Sequence, residues 1–368
     1  MAFGPELRFL DRTKVLYEGK TYLFFGGNDY HRLATHPDVI RAARDVAESD
    51  GWSCAGSRIT TGNHPLLAEL ERRAATFLGA GEAVLCPSGY LSNCVALETM
   101  SGDFQRVFLD GGAHASLATP TDRSPREMVV AFRHADPEDL ARRLHECLRP
   151  GERPLVLTDG VEPGDGELPP LHAYWAAVRD FGGVLLVDDA HGIGVLGPNG
   201  QGSPAEAGLP ADAFMQTGTF SKALGAFGGL VTGPAGLAER VIEKSRAFVG
   251  ATPIPPPLAA AGIRALEILQ ASPGLITGLR SRVLRVRERV QALGFRASAS
   301  PAPILSITHH DVEKNSRLRS LLLDRGIYPP FIRYPGSPPG GHFRFTISSA
   351  HAEEDIERLL DTLAASCG

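Results

Sequence analysis

Lysine is scarce in this sequence, and so are long apolar runs and any excess of positive charge. Only five of the 37 basic residues are lysine, and the formal net charge is -5 with a pI near 6.2. Because the sequence has no basic stripe, we do not expect it to bind nucleic acid. No stretch approaches the roughly 18 uncharged apolar residues that a membrane span needs, so no span is predicted. A cytoplasmic location is the expected default.

Cysteine is also too sparse to organise the fold. The five cysteines are an odd number and lack the spacing of metal ligands. They therefore predict neither a disulfide framework nor a metal site. With 368 residues, of which 43% are hydrophobic, the chain is long enough to bury the core of one large and one smaller domain.

Short apolar runs alternate with amphipathic stretches through the middle of the chain. Residues 184–187 are the clearest buried strand, and residues 65–78 are a helical stretch between two strand signals. Further strand signals lie at residues 83–85, 107–109 and 154–157. This β-α-β-α pattern predicts an α/β fold with a mostly parallel central sheet sandwiched by helices. Ligands of such sheets bind at the carboxyl ends of the strands.

The pattern changes after Gly250, where a proline-rich passage precedes a long helical stretch over residues 258–293 that is broken near Ser272. Strand signals at residues 304–307 and 343–347, followed by a closing amphipathic helix, indicate a small α+β unit. The predicted parts are an N-terminal arm over residues 1–40, a large domain over residues 41–250, and a linker helix with a small C-terminal domain over residues 251–368.

Two features of the sequence predict its chemistry. Lys222 lies in the hydroxyl- and glycine-rich run TGTFSKALG, and Asp188 follows the apolar run 184–187 and opens the sequence DDAHG. A desolvated lysine amine can attach covalently to an aldehyde, which arginine cannot do, and the flanking hydroxyls and amides can hold a phosphate. A buried carboxylate is the partner that the protonated ring nitrogen of pyridoxal 5'-phosphate (PLP) requires. The pair therefore predicts a PLP site.

These motifs resemble those of the α-oxoamine synthase family of fold-type I PLP enzymes, and they run in family order from about Asn28 to His351. The resemblance implies the type I PLP-dependent transferase fold. It implies a biosynthetic acyltransferase that condenses an amino acid with an acyl thioester, of CoA or a carrier protein, and loses CO2 to give an α-amino ketone. It also implies a homodimer whose sites are shared across the subunit interface.

The resemblance assigns the cofactor contacts residue by residue. Lys222 would carry PLP, Asp188 would pair with the ring nitrogen, His191 would contact the ring hydroxyl and His114 would stack on the ring; these four are the expected catalytic residues. The phosphate would be held by Ser88, Gly89, Tyr90 and Thr219, and by Thr252 of the neighbouring subunit. Backbone amides at the start of a helix bind anions, which gives the Ser88–Tyr90 turn a physical reason to do so.

Arginine is expected to bind the substrate carboxylate, because its guanidinium offers two parallel donors. By the same resemblance, Arg344 would clamp the carboxylate of the amino acid together with Asn28, and Arg333 would be a second arginine on the substrate side. Most other arginines are expected to be solvated surface charges.

The sequence departs from the family at three places. Members commonly carry Phe-Ser-Met-Asp-Gly where this chain reads Val161-Glu162-Pro163-Gly164-Asp165-Gly166, so that Pro163 replaces a serine donor. Leu67 stands where members often carry histidine, and Arg32 replaces a glycine. These changes leave the acyl substrate and the reaction type open. The alternatives are transamination or aldol cleavage, and a catalytically silent PLP-fold subunit, which typically lacks the lysine.

Overall fold

The computed structural model describes residues 4–122, 128–309, 311–333 and 341–367, whose strands form three sheets. In chain order the strands are β1 (Arg8–Phe9), β2 (Lys14–Tyr17), β3 (Lys20–Phe24), β4 (Glu82–Cys86), β5 (Arg106–Asp110), β6 (Val129–Phe132), β7 (Pro154–Asp159), β8 (Val184–Asp188), β9 (Phe214–Thr219), β10 (Gly229–Gly233), β11 (Ile304–Ile307), β12 (Ile327–Tyr328), β13 (Phe331–Ile332) and β14 (His342–Thr346).

The helices are, in chain order, α1 (Pro37–Ser49), α2 (Pro65–Leu78), α3 (Gly89–Thr99), α4 (Ala115–Thr121), α5 (Pro137–Cys147), α6 (Leu171–Val178), α7 (Ser203–Glu206), α8 (Leu237–Lys244), α9 (Arg246–Val249), α10 (Pro256–Ala271), α11 (Gly274–Ala292), α12 (Val312–Asp324) and α13 (Glu353–Ala365). The stretch that the sequence predicts as one broken helix is α10 and α11, separated by Ser272 and Pro273. Within the described ranges, no helix has the length and apolar character to cross a membrane.

The central sheet has seven strands in the order β4-β10-β9-β8-β7-β5-β6. Five neighbouring strands, from β9 to β6, are parallel, and β10 runs antiparallel to both of its neighbours. The mostly parallel sheet predicted from the sequence is therefore confirmed. Because the carboxyl ends of parallel strands meet at one edge, the residues that end β5, β7, β8 and β9 lie along that edge. They are Asp110, Asp159, Asp188 and Thr219.

The apolar run of β8 is explained by helices on both faces of the sheet. Leu185 and Val187 belong to a cluster that includes Tyr174 of α6, whereas Leu186 points to the other face and packs in a cluster with Val95 of α3. Every second residue of a strand faces the same side, so a strand buried on both sides must be apolar throughout. This burial fixes β8 and thereby the position of Asp188.

The segment after β3 is joined to the end of β14. The Thr346 amide donates to the Phe25 carbonyl at 2.6 Å, and its hydroxyl donates to the Gly27 carbonyl at 2.7 Å. The Ser349 amide donates to the Tyr30 carbonyl at 3.0 Å. Further along the N-terminal sheet, β3 pairs in parallel with β12, while β14 lies between β11 and β13. The segment after β3 and the end of β14 therefore lie together, and the division into three parts stays a prediction.

Two of the departures from the family occupy structural positions. Leu67 is wholly buried on α2, in a cluster with Leu33 and Phe220. Arg32 has a left-handed backbone with φ of 53°, a conformation that glycine adopts at no steric cost. Its guanidinium donates to the Phe24 carbonyl at 2.9 Å and lies over the Phe24 ring. The arginine therefore gains contacts that glycine could not make.

Candidate active site

Lys222 lies in the loop that follows β9, and its amine is buried beside His191. The Nζ atom is 2.8 Å from His191 Nε2. Burial lowers the pKa of Lys222 to about 8, although the negative charge of Asp188 opposes this shift. A substantial fraction of the amine is therefore neutral near physiological pH, which is the form that acts as a nucleophile or a base.

His191 is held from both ring nitrogens. Its Nδ1 atom is 2.5 Å from the hydroxyl of Tyr30, which is wholly buried. Burial, followed by the nearby charge of Lys222, lowers the pKa of His191 well below its usual value. A neutral imidazole has one donor and one acceptor, so when Lys222 donates to Nε2, Nδ1 donates to the Tyr30 oxygen. Tyr30 was not assigned a role from the sequence, although it follows the Asn28-Asp29 motif directly.

Asp188 is buried at the end of β8 and is held by three donors. Asn93 Nδ2 donates to Oδ2 at 2.6 Å, and the Ser116 hydroxyl donates to the same oxygen at 3.1 Å. The Ala190 amide donates to Oδ1 at 3.1 Å. Thr217 in turn donates to Asn93 Oδ1 at 2.5 Å. These contacts leave the carboxylate one orientation, which is the condition for a fixed charge partner.

Asn93 and Ser116 are residues that the sequence analysis missed. Asn93 lies one helical turn after Gly89 on α3, and Ser116 lies two residues after His114 at the start of α4. Both residues lie shortly after residues already assigned to the cofactor. A polar side chain one turn into such a helix could have been predicted to face the same site.

His114 precedes α4 and is tied to the strand ends at two points. Its amide donates to Asp159 Oδ2 at 2.7 Å, and its Nδ1 atom is 2.8 Å from the Ser116 hydroxyl. Through Ser116 it is therefore connected to Asp188. Burial lowers the pKa of His114, and burial together with the adjacent Asp188 raises the pKa of Asp159 well above its usual value. Asp159 and Asp188 are paired residues of β7 and β8.

The Ser88–Tyr90 turn forms the N-terminus of α3 and touches the lysine loop. The Ser88 hydroxyl accepts the Leu91 amide at 3.3 Å, as expected of a helix cap. A Cβ atom on Gly89 would lie 2.8 Å from Thr219 Cβ, so only glycine allows this approach. Tyr90 places its ring 6.4 Å from the ring of His114, centroid to centroid. The turn and Thr219 are therefore close enough to contact one phosphate between them.

Arg344 and Asn28 lie at the junction of β14 with the segment after β3. Arg344 Nε donates to the Pro163 carbonyl at 2.6 Å. Burial raises the pKa of Tyr30 to about 12, with the guanidinium of Arg344 opposing this shift. Asn28 Oδ1 is buried and has no hydrogen-bond partner among the described residues. Buried polar atoms are nearly always paired, so this oxygen suits a ligand that brings its own donor.

Thr252 and Arg333 both have exposed side chains within one chain. Thr252 is exposed in the proline-rich loop before α10. Arg333 is also exposed, and its guanidinium lies over the Phe331 ring at 5.6 Å. Among the residues that the structure describes, no hydrogen bond joins either side chain to the rest of the site. The proline-rich segment that follows Arg333, residues 334–340, lies outside the described residues.

The residues present fit PLP. Lys222 offers a buried amine of lowered pKa, Asp188 offers an oriented carboxylate, and the Gly89 turn offers the free amides of a helix start. The unpaired Asn28 oxygen adds an acceptor on the substrate side. When bound, PLP supplies an electron sink for a carbanion next to an amino group.

Comparison with known proteins gives an independent view. The family described as aminotransferase class I and II matches residues 20–363. A putative 8-amino-7-oxononanoate synthase of Desulforudis audaxviator is 38% identical over 96% of this chain and 91% of its own length. A serine palmitoyltransferase of Caulobacter vibrioides is 33% identical over 95% of this chain and 87% of its own length.

Solved structures agree with these sequence relatives. A variant of the serine palmitoyltransferase of S. paucimobilis with bound PLP and myriocin superposes with a TM-score of 0.90 at 28% identity, covering 98% of this chain and 92% of that chain. The serine palmitoyltransferase of Sphingomonas wittichii gives a TM-score of 0.90 at 27% identity, covering 97% and 90%. The predicted type I fold is confirmed by these similarities.

Proposed function

This chain belongs to the α-oxoamine synthases, within the class I and II aminotransferase family, and from that premise we propose that it condenses an amino acid with an acyl thioester. CO2 and the free thiol leave, and the product is an α-amino ketone. The observation that carries the proposal is the arrangement of the site: a buried amine paired with His191, and a fixed carboxylate on Asp188 that acts on the amine's pKa.

Lys222 has two tasks in this proposal. Its amine holds PLP before the amino acid arrives, and once displaced it removes the α-proton of the amino acid. An amine with a pKa near 8 serves both tasks, because it is neutral often enough to accept a proton and basic enough to keep it. His191, 2.8 Å from Nζ, orients the amine in the absence of PLP and would contact the ring hydroxyl of bound PLP.

Arg344 and Asn28 would bind the carboxylate that is later lost as CO2. Arg344 is held by its Nε atom and lies within hydrogen-bonding reach of Tyr30, so the Nη side of its guanidinium would contact the carboxylate. Asp188 would hold the positive charge at the ring nitrogen, and His114 would cover the ring from one side. The exposed Arg333 would be a second arginine on the substrate side.

The reaction is tested by combining amino acids with acyl-CoAs and measuring thiol and CO2 together. We expect equal release of free thiol and CO2. This release should stop when Lys222 is replaced by alanine. Formation of a keto acid without free thiol would indicate transamination, and an aldehyde would indicate aldol cleavage. A protein that binds PLP yet gives none of these products would be the silent subunit.

We further propose a homodimer in which Thr252 of one subunit completes the phosphate site of the other. Thr252 is exposed within one chain, and so are two aromatic side chains beside the cofactor loops, Tyr90 at 51% and Phe227 at 46%. A second copy would cover these apolar rings. Sedimentation should show a dimer. The Thr252→Ala variant should bind PLP more weakly and remain a dimer. A monomer with full activity would exclude shared sites. The cytoplasmic location stays a prediction.

A further inference from the structure

We propose that Glu162 is a positioning residue that fixes Arg344, through the carbonyl of Pro163, for binding of the amino-acid carboxylate. The inference rests on the proposed function, since it assigns the carboxylate to Arg344. It concerns the loop in which this chain departs from its family, where Glu162 stands at the position of a phenylalanine and Pro163 at the position of a serine.

Glu162 closes its loop with its own side chain. Oε2 accepts the amide hydrogens of Gly164 and of Asp165, the latter at 2.9 Å. The backbone closes the same turn, because the Glu162 amide donates to the Glu167 carbonyl at 2.8 Å and the Gly166 amide donates to the Glu162 carbonyl at 2.9 Å. A carboxylate that accepts successive backbone amides holds them in one concave arrangement.

The Glu162 carboxylate that closes the loop is itself partly buried. Burial raises the pKa of Glu162, and the two amide hydrogen bonds oppose that shift. The loop is also anchored to the core, because Arg287 Nη2 donates to the Asp165 carbonyl at 3.2 Å and to the Ile304 carbonyl at 2.6 Å. Between these two fixed points lies Pro163, whose position is therefore set by its neighbours.

Pro163 presents its carbonyl to Arg344. The Nε donor is 2.6 Å from this oxygen, which fixes the plane of the guanidinium. Proline has no amide hydrogen and a fixed φ, so this residue can offer only an acceptor. With Nε engaged, a carboxylate would meet the Nη side of the guanidinium, which is also within hydrogen-bonding reach of Tyr30. The charge of Arg344 acts on Tyr30, His191 and Lys222.

Pro163 has no amide donor to offer a substrate, so it acts on the substrate only through Arg344. Without the Glu162 carboxylate, the amides of Gly164 and Asp165 would lose their acceptor, and the carbonyl of Pro163 would no longer be held in line with Nε. The guanidinium of Arg344 would then be held less firmly. This would weaken the binding only of ligands that carry a carboxylate.

The experiment uses the PLP-loaded protein and follows its absorbance during titration with glycine, L-alanine and L-serine. The best-bound of these is then compared with its carboxamide, which keeps the amine but lacks the negative charge. Glu162→Ala should raise the apparent Kd of the amino acid roughly tenfold, the effect of loosening one charge-assisted contact, and that of the carboxamide less than about twofold. Glu162→Gln keeps one acceptor and should restore most of the affinity.

Glu167→Ala is the matched control, because Glu167 lies in the same loop but is exposed. It should leave both affinities unchanged. In turnover, Glu162→Ala should raise the KM of the amino acid while kcat and the KM of the acyl thioester change little. If Glu162→Ala does not fold, Glu162→Gln should still show a smaller loss confined to the amino acid.

Equal weakening of the acid and the carboxamide in Glu162→Ala would overturn the proposal, as would a binding loss in the Glu167 control of the same size. These binding results do not depend on the condensation itself. If no acyl thioester yields product while the acid and the carboxamide respond as expected, the proposed reaction fails and the assignment of Glu162 stands.

Discussion

Replacing Asp188 by asparagine tests the central electrostatic contact of the site. Both carboxylate oxygens accept hydrogen bonds, Oδ2 from Asn93 and Ser116 and Oδ1 from the Ala190 amide. Whichever way the new amide turns, its NH2 group faces a donor, which costs about 1 to 3 kcal/mol of folding free energy. Separately, if a protonated ring nitrogen were to bind about 4 Å from the carboxylate, the loss of their attraction at an effective dielectric constant of 20 would cost about 4 kcal/mol of PLP binding free energy.

The expected result is a roughly thousandfold loss of PLP affinity and of activity, because about 4 kcal/mol corresponds to about three factors of ten at 1.4 kcal/mol each. Affinity is measured by titrating the cofactor-free protein with PLP, and stability by urea unfolding. For PLP affinity, Asp189→Asn is the matched control: Asp189 is also buried, but its Oδ1 atom has no hydrogen-bond partner among the described residues and can become an NH2 group. PLP affinity of Asp188→Asn within tenfold of the wild type would refute the assignment.

Three further changes test other parts of the site. Gly89→Ala places a Cβ atom 2.8 Å from Thr219 Cβ and should raise the Kd of PLP about tenfold, by overpacking at the phosphate turn; an unchanged Kd would contradict the close approach. Tyr30→Phe removes the hydroxyl from His191 Nδ1 and should lower kcat about tenfold while PLP stays bound; release of PLP would assign Tyr30 to the cofactor instead. Asp189 has a pKa raised to about 7 by burial, so the stability that its protonation gives is complete below about pH 4 and is lost as the pH rises to 7. Asp189→Asn should therefore gain up to roughly 4 kcal/mol over the wild type between pH 4 and 7 in urea unfolding, whereas a constant difference would contradict the raised pKa.

The strands and helices of the middle of the chain could be predicted because their burial is visible in the sequence. Residues 184–187 are apolar without interruption since helices cover both faces of β8, and α2 begins and ends where its proline and glycine predict. The antiparallel strand β10 (Gly229–Gly233) was not predicted. It contains two glycines and a threonine, so its apolar pattern is too weak to distinguish it from a loop.

The site residues, too, could be predicted only where a local sequence pattern indicates them. Lys222 and Asp188 could be paired from the sequence because each lies in a motif with its own chemical reason. Asn93 and Ser116 could not, because their role depends on which helix faces the end of β8, and that is fixed by packing. The contact between Arg344 and Pro163 joins residues 181 positions apart, which no local pattern can indicate.

The junction between the Tyr30 segment and the end of β14 has a consequence for synthesis on the ribosome. The groups that one chain is proposed to offer its own PLP lie between residues 88 and 222, whereas Arg344 lies on β14, whose end bonds to the segment after β3 through Thr346 and Ser349. A nascent chain emerges from its N-terminus, so the cofactor pocket can form well before the carboxylate clamp. The growing polypeptide is thus unable to engage an amino acid until the segment from Arg344 to Ser349 has been translated.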